Sequence, residues 1–386
     1  MTDTTPVFLK RSGLVPAPEL RATRRADGLD RTTTVFGQQA WLVSRAEDVR
    51  TVLSDATLFT TGDSMPVPEG ANKIDNLLLM DPPRHTVLRR MLAPAFTARA
   101  LRRLEPRVRQ IVADQLDQMS AAGPPADLVA SFSWEIPSQV ICELLGVPAA
   151  DRARLRELID RSFDFSLGEE RLRALTTLTG YIATLTERAQ AAPADDMFGM
   201  LVREHGGELG ERDLIGIGVT LLQAGHETTA AMITSAVFML LTAPGQLELL
   251  RNEPRWIGSA IEELLRYLAV VQISPPRRAT RDTIIGGQPI AAGELLLVSL
   301  PAANHDPGLV DEPGRLDITR GAPHHLAFGH GIHHCLGAPL ARMELEIALP
   351  ALFGRFPDLA LAIDPEHADY TSGTVVHGLK TLPVTW

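Results

Sequence analysis

One cysteine carries the strongest chemical signal in this chain. Cys335 stands in the run Phe328-Gly329-His330-Gly331-Ile332-His333-His334-Cys335-Leu336-Gly337. Gly329 and Gly331 permit a tight loop and a close backbone approach that a Cβ would obstruct. An apolar helical pattern begins just behind Cys335, with Pro339 in its first turn, where a missing N–H costs least. Cys335 is therefore expected at a helix N-terminus, where free N–H groups such as those of Leu336 and Gly337 favour a thiolate, the form that ligates metals. An inert buried thiol is the ordinary alternative, and it suits Cys142 inside Val140-Ile141-Cys142-Glu143-Leu144-Leu145 better than it suits a Gly-rich loop. The crowd of His324, His325, His330, His333 and His334 raises zinc as a rival, although the spacing matches no paired Cys/His framework. A Cys-x-x-Cys-His haem attachment is absent from the sequence.

A second site of possible chemistry lies in Ala224-Gly225-His226-Glu227-Thr228-Thr229. The surrounding stretch, Leu214 to Leu241, is apolar on nearly all sides and reads as a long buried helix. A carboxylate within it is costly unless paired, solvated or neutral. Acid, alcohol and a glycine that loosens the backbone suggest proton delivery, with a π-type distortion as one way to build it. The plainer alternative has threonine returning its hydroxyl to the preceding turn. His226-Glu227 also begins a His-Glu-x-x-His zinc motif, but the second position is Ala230, so that reading fails.

These residues need elements to hold them. Helical patterns dominate from about 84 to 270 and from Leu336 to Phe356. Hairpins are expected within 34–43 and within 282–300, the latter with turns at Gly286-Gly287 and Ala292-Gly293. Pro-rich joints separate helices without resembling domain linkers, so one interleaved domain spanning 1–386 is expected. The chain has 386 residues, 45% apolar and 22% charged, with net charge −10, which argues against nucleic-acid binding. The apolar stretch is interrupted by Gln223, His226 and Glu227, so no membrane span is expected, nor is a signal peptide visible near Met1. Two distant cysteines fit a reducing cytoplasm rather than a disulfide framework.

The cysteine run resembles the haem-ligand signature of bacterial soluble cytochromes P-450, Phe-x-x-Gly-x-x-x-Cys-x-Gly, at Phe328, Gly331, Cys335 and Gly337. Ala224 to Thr228 resembles that family's oxygen-activation motif, and Glu263-Leu264-Leu265-Arg266 its Glu-x-x-Arg pair, which shares one helical face. Asp81 to Arg89 and Arg277 to Asp282 resemble its propionate-binding segments. The resemblance runs from about Pro82 onward, with the motifs in the family's order. It implies a mainly α fold with small β-sheets, a single domain enclosing haem b. Cys335 would be the axial thiolate, which favours O–O cleavage. His85, Arg89, Arg277 and His333 would bind propionates, and Arg315 or Arg320 would join Glu263 and Arg266. Thr228 would hydrogen-bond the oxygen being split, and Glu227 would relay protons.

The implied reaction inserts one oxygen atom from dioxygen into a small hydrophobic organic substrate, as in natural products such as macrolides, a tailoring step of antibiotic biosynthesis. The pocket is expected from Thr61 to Leu79, Phe163 to Met200, Leu221 and Leu222, Val270 to Ile273, and Ser372 to Val375. No reductase-like segment follows the loop, so electrons are expected from a ferredoxin with its reductase. The eight arginines between Arg84 and Arg109, with Glu105 the lone acid, offer a docking patch; a solvated helical face is the plainer reading. A haem-binding sensor without turnover and a zinc hydrolase remain as alternatives. Two departures from the family pattern stand out: His334 before the ligand, and His305 where arginine is usual.

Overall fold

The computed structural model describes residues 5–24, 27–34, 37–62, 64, 76–163, 167–321 and 324–386. The N-terminal part holds short strands β1 (Arg11–Ser12) and β2 (Val15–Pro16), helix α1 (Pro18–Ala22), then β3 (Asp30–Thr33), β4 (Gln39–Val43), α2 (Ala46–Ser54) and β5 (Phe59–Thr60). A helical series follows: α3 (Arg84–Leu92), α4 (Ala98–Ala122), α5 (Glu135–Leu145), α6 (Arg152–Phe163), α7 (Glu169–Ala191) and α8 (Met197–His205). The two-residue strand β6 (Ala126–Asp127) interrupts it before α5. Next come α9 (Glu211–Thr242), α10 (Pro244–Asn252) and α11 (Ile257–Leu268). Strands β7 (Arg277–Ala279), β8 (Thr283–Ile285), β9 (Gln288–Ile290) and β10 (Leu295–Val298) precede α12 (Leu300–Asn304). The chain closes with α13 (Ala338–Arg355), β11 (Ala360–Leu361) and β12 (Pro383–Thr385). The mainly helical expectation with small sheets holds.

Helix α9 is the axis of the molecule. Apolar on almost every side, it is buried and packs against α5, α7, α10, α11 and α13. Its start is fixed by Asp213, whose carboxylate accepts from the Gly210 N–H at 2.9 Å. It runs α-helical without interruption through Gly225, so the expected distortion is not there. The missing Cβ serves packing instead, since one would lie 3.1 Å from Ile141 Cδ1 on α5. The π-helical turn among the described residues is Val129–Ser133, directly before α5 and packed on α9. Helix α5 ends at Gly146, whose φ of +72° allows the Val147 N–H to return to the Cys142 carbonyl at 2.8 Å.

The larger sheet has the order β3-β4-β10-β7-β5, with β4 and β10 parallel and the other pairs antiparallel. Two predicted hairpins are corrected here. The first pairs Asp30–Thr33 with Gln39–Val43, so its opening strand lies before residue 34; that edge strand alternates between half-buried and exposed and carries no apolar run. In the second, β8 and β9 turn at Gly286-Gly287 as expected, at φ +57° and +79°. Beyond Gly293, however, β10 leaves the hairpin for the larger sheet. Its four residues, Leu295 to Val298, are all buried because one apolar cluster lies on each face. Among the described residues no single helix is long and apolar enough to cross a membrane; α9 with α10 passes only as a pair bent by 101°.

Candidate active site

The Cys335 loop is shaped by its glycines and by hydrogen bonds across its neck. Gly329 and Gly331 both have φ +71°. At Gly331 the close approach is to α2, where a Cβ would meet the Leu53 carbonyl oxygen at 2.0 Å. The Cys335 N–H donates to the Phe328 carbonyl at 2.9 Å, which closes the loop. Helix α13 begins three residues later, with Gly337 as its N-cap. The amides that favour the thiolate are those of Gly337 and Ala338, not Leu336. Arg89 and Arg342 add positive charge nearby. Burial outweighs these influences and leaves the thiol above its ordinary value. Even so, Cys335 is exposed where Cys142 is buried.

Beside this loop four basic side chains converge. The rings of His85 (α3) and His333 have centroids 4.1 Å apart. Arg89, one turn beyond His85, donates to the His334 carbonyl at 2.6 Å. Arg277 on β7 is buried and donates to the Pro275 carbonyl at 2.8 Å. Burial, reinforced by Arg89 and Arg277, pushes His85 down to about 4. Burial with Arg277 and His85 pushes His333 down to about 3, and burial alone pushes Arg277 down to about 10 against the pull of Asp81. Asp81 is already committed: its two oxygens accept from the Thr61 N–H at 2.8 Å and the Gly62 N–H at 2.6 Å. Both ring nitrogens of His85 and Nε2 of His333 are buried without a protein partner. A dianionic flat cofactor ligated at Cys335 fits this donor set, because its two carboxylates supply the missing acceptors.

On α9 the residues of the expected oxygen-activation motif lie toward the open side. Ala224 is exposed in the middle of an otherwise buried helix, and Thr228, one turn on, donates to the Ala224 carbonyl at 2.7 Å. Thr228 thus makes the back-bond that sequence offered as the plainer alternative. Glu227 is half-buried and has a partner. Helix α9 packs directly on α13, which carries the Cys335 loop. Within this motif His226 is fully buried, against the ring of Trp134 at the start of α5.

The Glu-x-x-Arg pair is buried completely. Arg266 reaches Glu263 with two bonds of 2.7 and 2.8 Å and also donates to the carbonyls of Asn304 and Pro313. Between the two candidate arginines, Arg320 provides the side chain, at 3.2 Å from Glu263, while Arg315 offers its carbonyl. Asn304 passes the network on, accepting from the Leu326 N–H at 2.7 Å at the entrance to the cysteine loop. His305, the departure from arginine, is buried and holds the Tyr267 carbonyl at 2.7 Å.

Sequence reasoning missed a second clamp. Arg342 on α13 binds Glu262 through two bonds of 2.6 and 2.9 Å, and His325 meets the same carboxylate at 3.2 Å. The Arg342 guanidinium also lies 4.7 Å over the Phe328 ring. Burial would raise the Glu262 carboxyl, but His325 and Arg342 hold it down at about 2. The loop histidines are thus drawn to different partners, and no cluster of three or more His, Cys, Asp or Glu suited to a metal exists among the described residues. The zinc-hydrolase alternative has no ligand set there. Of the expected pocket segments, Val270–Ile273 and Ser372–Val375 pair with each other, through Gln272 N–H to Val375 O at 2.8 Å. Thr61–Leu79 and Phe163–Met200 lie partly outside the described residues.

The family model for cytochrome P450 matches residues 194–361. Cytochrome P450 FAS1 of Rhodococcoides fascians is 43% identical, covering 99% of this chain and 98% of that protein. Mycinamicin IV hydroxylase/epoxidase of Micromonospora griseorubida is 40% identical over 97% and 96%. The solved structure of P450 StaH from glycopeptide antibiotic A47934 biosynthesis superposes with a TM-score of 0.90 at 43% identity, covering 99% and 100%. Fold and relatives define a haem-dependent monooxygenase that uses dioxygen, a redox partner and a small organic substrate. The chain belongs to the cytochrome P450 family.

Proposed function

We propose that residues 1–386 fold as one cytochrome P-450 domain around haem b and oxidise a hydrophobic natural product, by hydroxylation or epoxidation, as a tailoring step of secondary metabolism. The observation that carries the site is the gathering of His85, Arg89, Arg277 and His333 beside an exposed Cys335, with both ring nitrogens of His85 and Nε2 of His333 buried without a protein partner. In this reading Cys335 would hold the haem iron through its thiolate, and the four basic residues would hold the propionates. Phe328 and Gly337 frame the ligand loop, and the small exposed Ala224 lets α9 pass close to the cofactor, while Gly225, the other expected contact, packs on Ile141 instead. Bound haem supplies dioxygen activation. Thr228 and Glu227 hold and move protons at the open face of α9. The kinship with mycinamicin IV hydroxylase/epoxidase and with a glycopeptide-pathway P450 supports a macrolide- or peptide-like substrate class.

A ferredoxin with its reductase is the proposed electron source. Arg90, Arg99, Arg102 and Arg103 are exposed without an ion pair among the described residues, whereas Arg84, Arg107 and Arg109 are paired. A cytoplasmic setting is supported by two cysteines that remain unbridged. The deciding measurement is the carbon monoxide difference spectrum of the dithionite-reduced protein. A strongly red-shifted Soret band, lost in Cys335→Ser, is expected; a haem-loaded protein without that band overturns the assignment of Cys335.

A further inference from the structure

Behind the oxygen-activation segment, on the opposite side of α9, lies a polar site that the proposed chemistry does not use. At about 100° per residue, Ala224 and Thr228 share one face of the helix and His226 points away from it. His226 is fully buried, and neither ring nitrogen has a hydrogen-bonding protein partner. Its ring lies 4.3 Å, centroid to centroid, from that of Trp134, tilted by 56°. The Trp134 Nε1–H is likewise buried and unpartnered, as is the hydroxyl of Ser133, the last residue of the π-helical turn. The Trp134 carbonyl lies near enough to favour a proton on the imidazole, but no hydrogen bond of ordinary geometry closes.

Buried polar groups seldom stay unsatisfied, and an unpaired cluster in a protein interior ordinarily marks ordered water. We propose that His226 and Trp134 hold an ordered water between α9 and the π-helical turn, and that through it His226 is a positioning residue for Ala224–Thr228. The donor set fits water. A water at the edge of the two rings can accept from the indole N–H and bond one imidazole nitrogen, accepting from it or donating to it according to the tautomer. Burial and Arg156 push the imidazole down to about 3, so it stays neutral. Glu135, next to Trp134, neutralises Arg156 in a half-buried ion pair. The site therefore has no net charge to attract an anion or a metal cation. The bridge fixes α9 one residue before Glu227, where Gly225 already packs on Ile141.

The positioning role rests on the proposed function of Glu227 and Thr228; the water does not. The test is a high-resolution crystal structure of the holoenzyme with coupling measurements on His226→Phe and His226→Gln. A water within hydrogen-bonding distance of Trp134 Nε1 and a His226 ring nitrogen is expected, absent from crystals of Trp134→Phe. A wild-type map with no water within hydrogen-bonding distance of both Trp134 Nε1 and a His226 ring nitrogen overturns the site. His226→Phe is expected to retain the reduced carbon monoxide band and near-normal substrate KM. Its product per electron pair should fall several-fold while peroxide rises, with most of the loss recovered in His226→Gln. Wild-type coupling in His226→Phe, or equal losses in both variants, overturns the positioning role. Absence of the thiolate band in the wild type strikes the Cys335 assignment and leaves the crystallographic result standing.

Discussion

Thr228 spends its hydroxyl proton on the Ala224 carbonyl, so toward the open side of α9 it presents oxygen lone pairs. A group held this way can receive and orient a proton donor. Thr228→Ala is therefore expected to keep the carbon monoxide spectrum but to divert electrons to peroxide, lowering product per electron pair several-fold. Thr228→Ser is expected to restore most of it, and unchanged coupling in the alanine variant removes Thr228 from proton delivery. The cysteine loop was legible residue by residue because its constraints are local: two glycines with positive φ, one thiol and a helix start within ten positions. Glu262 and Arg342 were not, since 80 residues separate them and each looks like any surface charge on its own helix. Arg315 and Arg320 were indistinguishable for a related reason: they share one irregular segment, and only the path of that segment decides which guanidinium meets Glu263.

At the scale of elements, α3, which carries His85 and Arg89, and α4 after it present the unpaired Arg90, Arg99, Arg102 and Arg103 on exposed turns. Reversing Arg102 and Arg103 to Glu is expected to slow electron transfer from an acidic donor and to flatten its dependence on ionic strength. Stopped-flow reduction at several salt concentrations reads both, and unaltered rates eliminate this face. Helix α11 makes a different demand. Its Glu263 and Arg266 are withdrawn from solvent entirely, and truncating Arg266 leaves the buried Glu263 with Arg320 as its remaining charged partner, at 3.2 Å. Arg266→Leu is expected to destabilise the fold by roughly 3–5 kcal/mol, and the double replacement with Glu263→Leu by less. Denaturant unfolding of both variants checks this; equal losses contradict the coupling. Long elements such as α9 were readable because their apolar pattern exceeds what any loop would carry. Strand β10 was misassigned because a four-residue apolar run fits either a hairpin arm or a central strand, and its partner β4 is remote in sequence.

Over the whole molecule, buried ionisable groups set the response to pH. His226 and His305 are pushed to about 3 and His377 to about 4, in each case chiefly by burial. Unfolded, they titrate near 6.5, so between these values the unfolded chain binds protons that the fold refuses. Stability from this source is complete above about 6.5 and declines as pH falls. Glu262, held at about 2, adds stability present above its unfolded value and lost as pH drops through 2. Glu344 on α13 acts in the opposite direction. Burial raises it to about 8, so the fold keeps a proton that the unfolded chain has released, and stability declines as pH rises toward 8. Unfolding by circular dichroism is expected to show a lower midpoint at pH 5 than at pH 7. Glu344→Gln should raise the midpoint at pH 8 more than at pH 5; the same change at both pH values contradicts a neutral buried carboxyl. The parallel pairing of Leu42 with Leu297 has a consequence for synthesis. On a ribosome adding about 5–20 residues per second, the hairpin of β3 and β4 emerges roughly 13–50 s before β10 exists. Through that interval the nascent chain carries an open strand edge, a template for wrong pairing until β10 covers it.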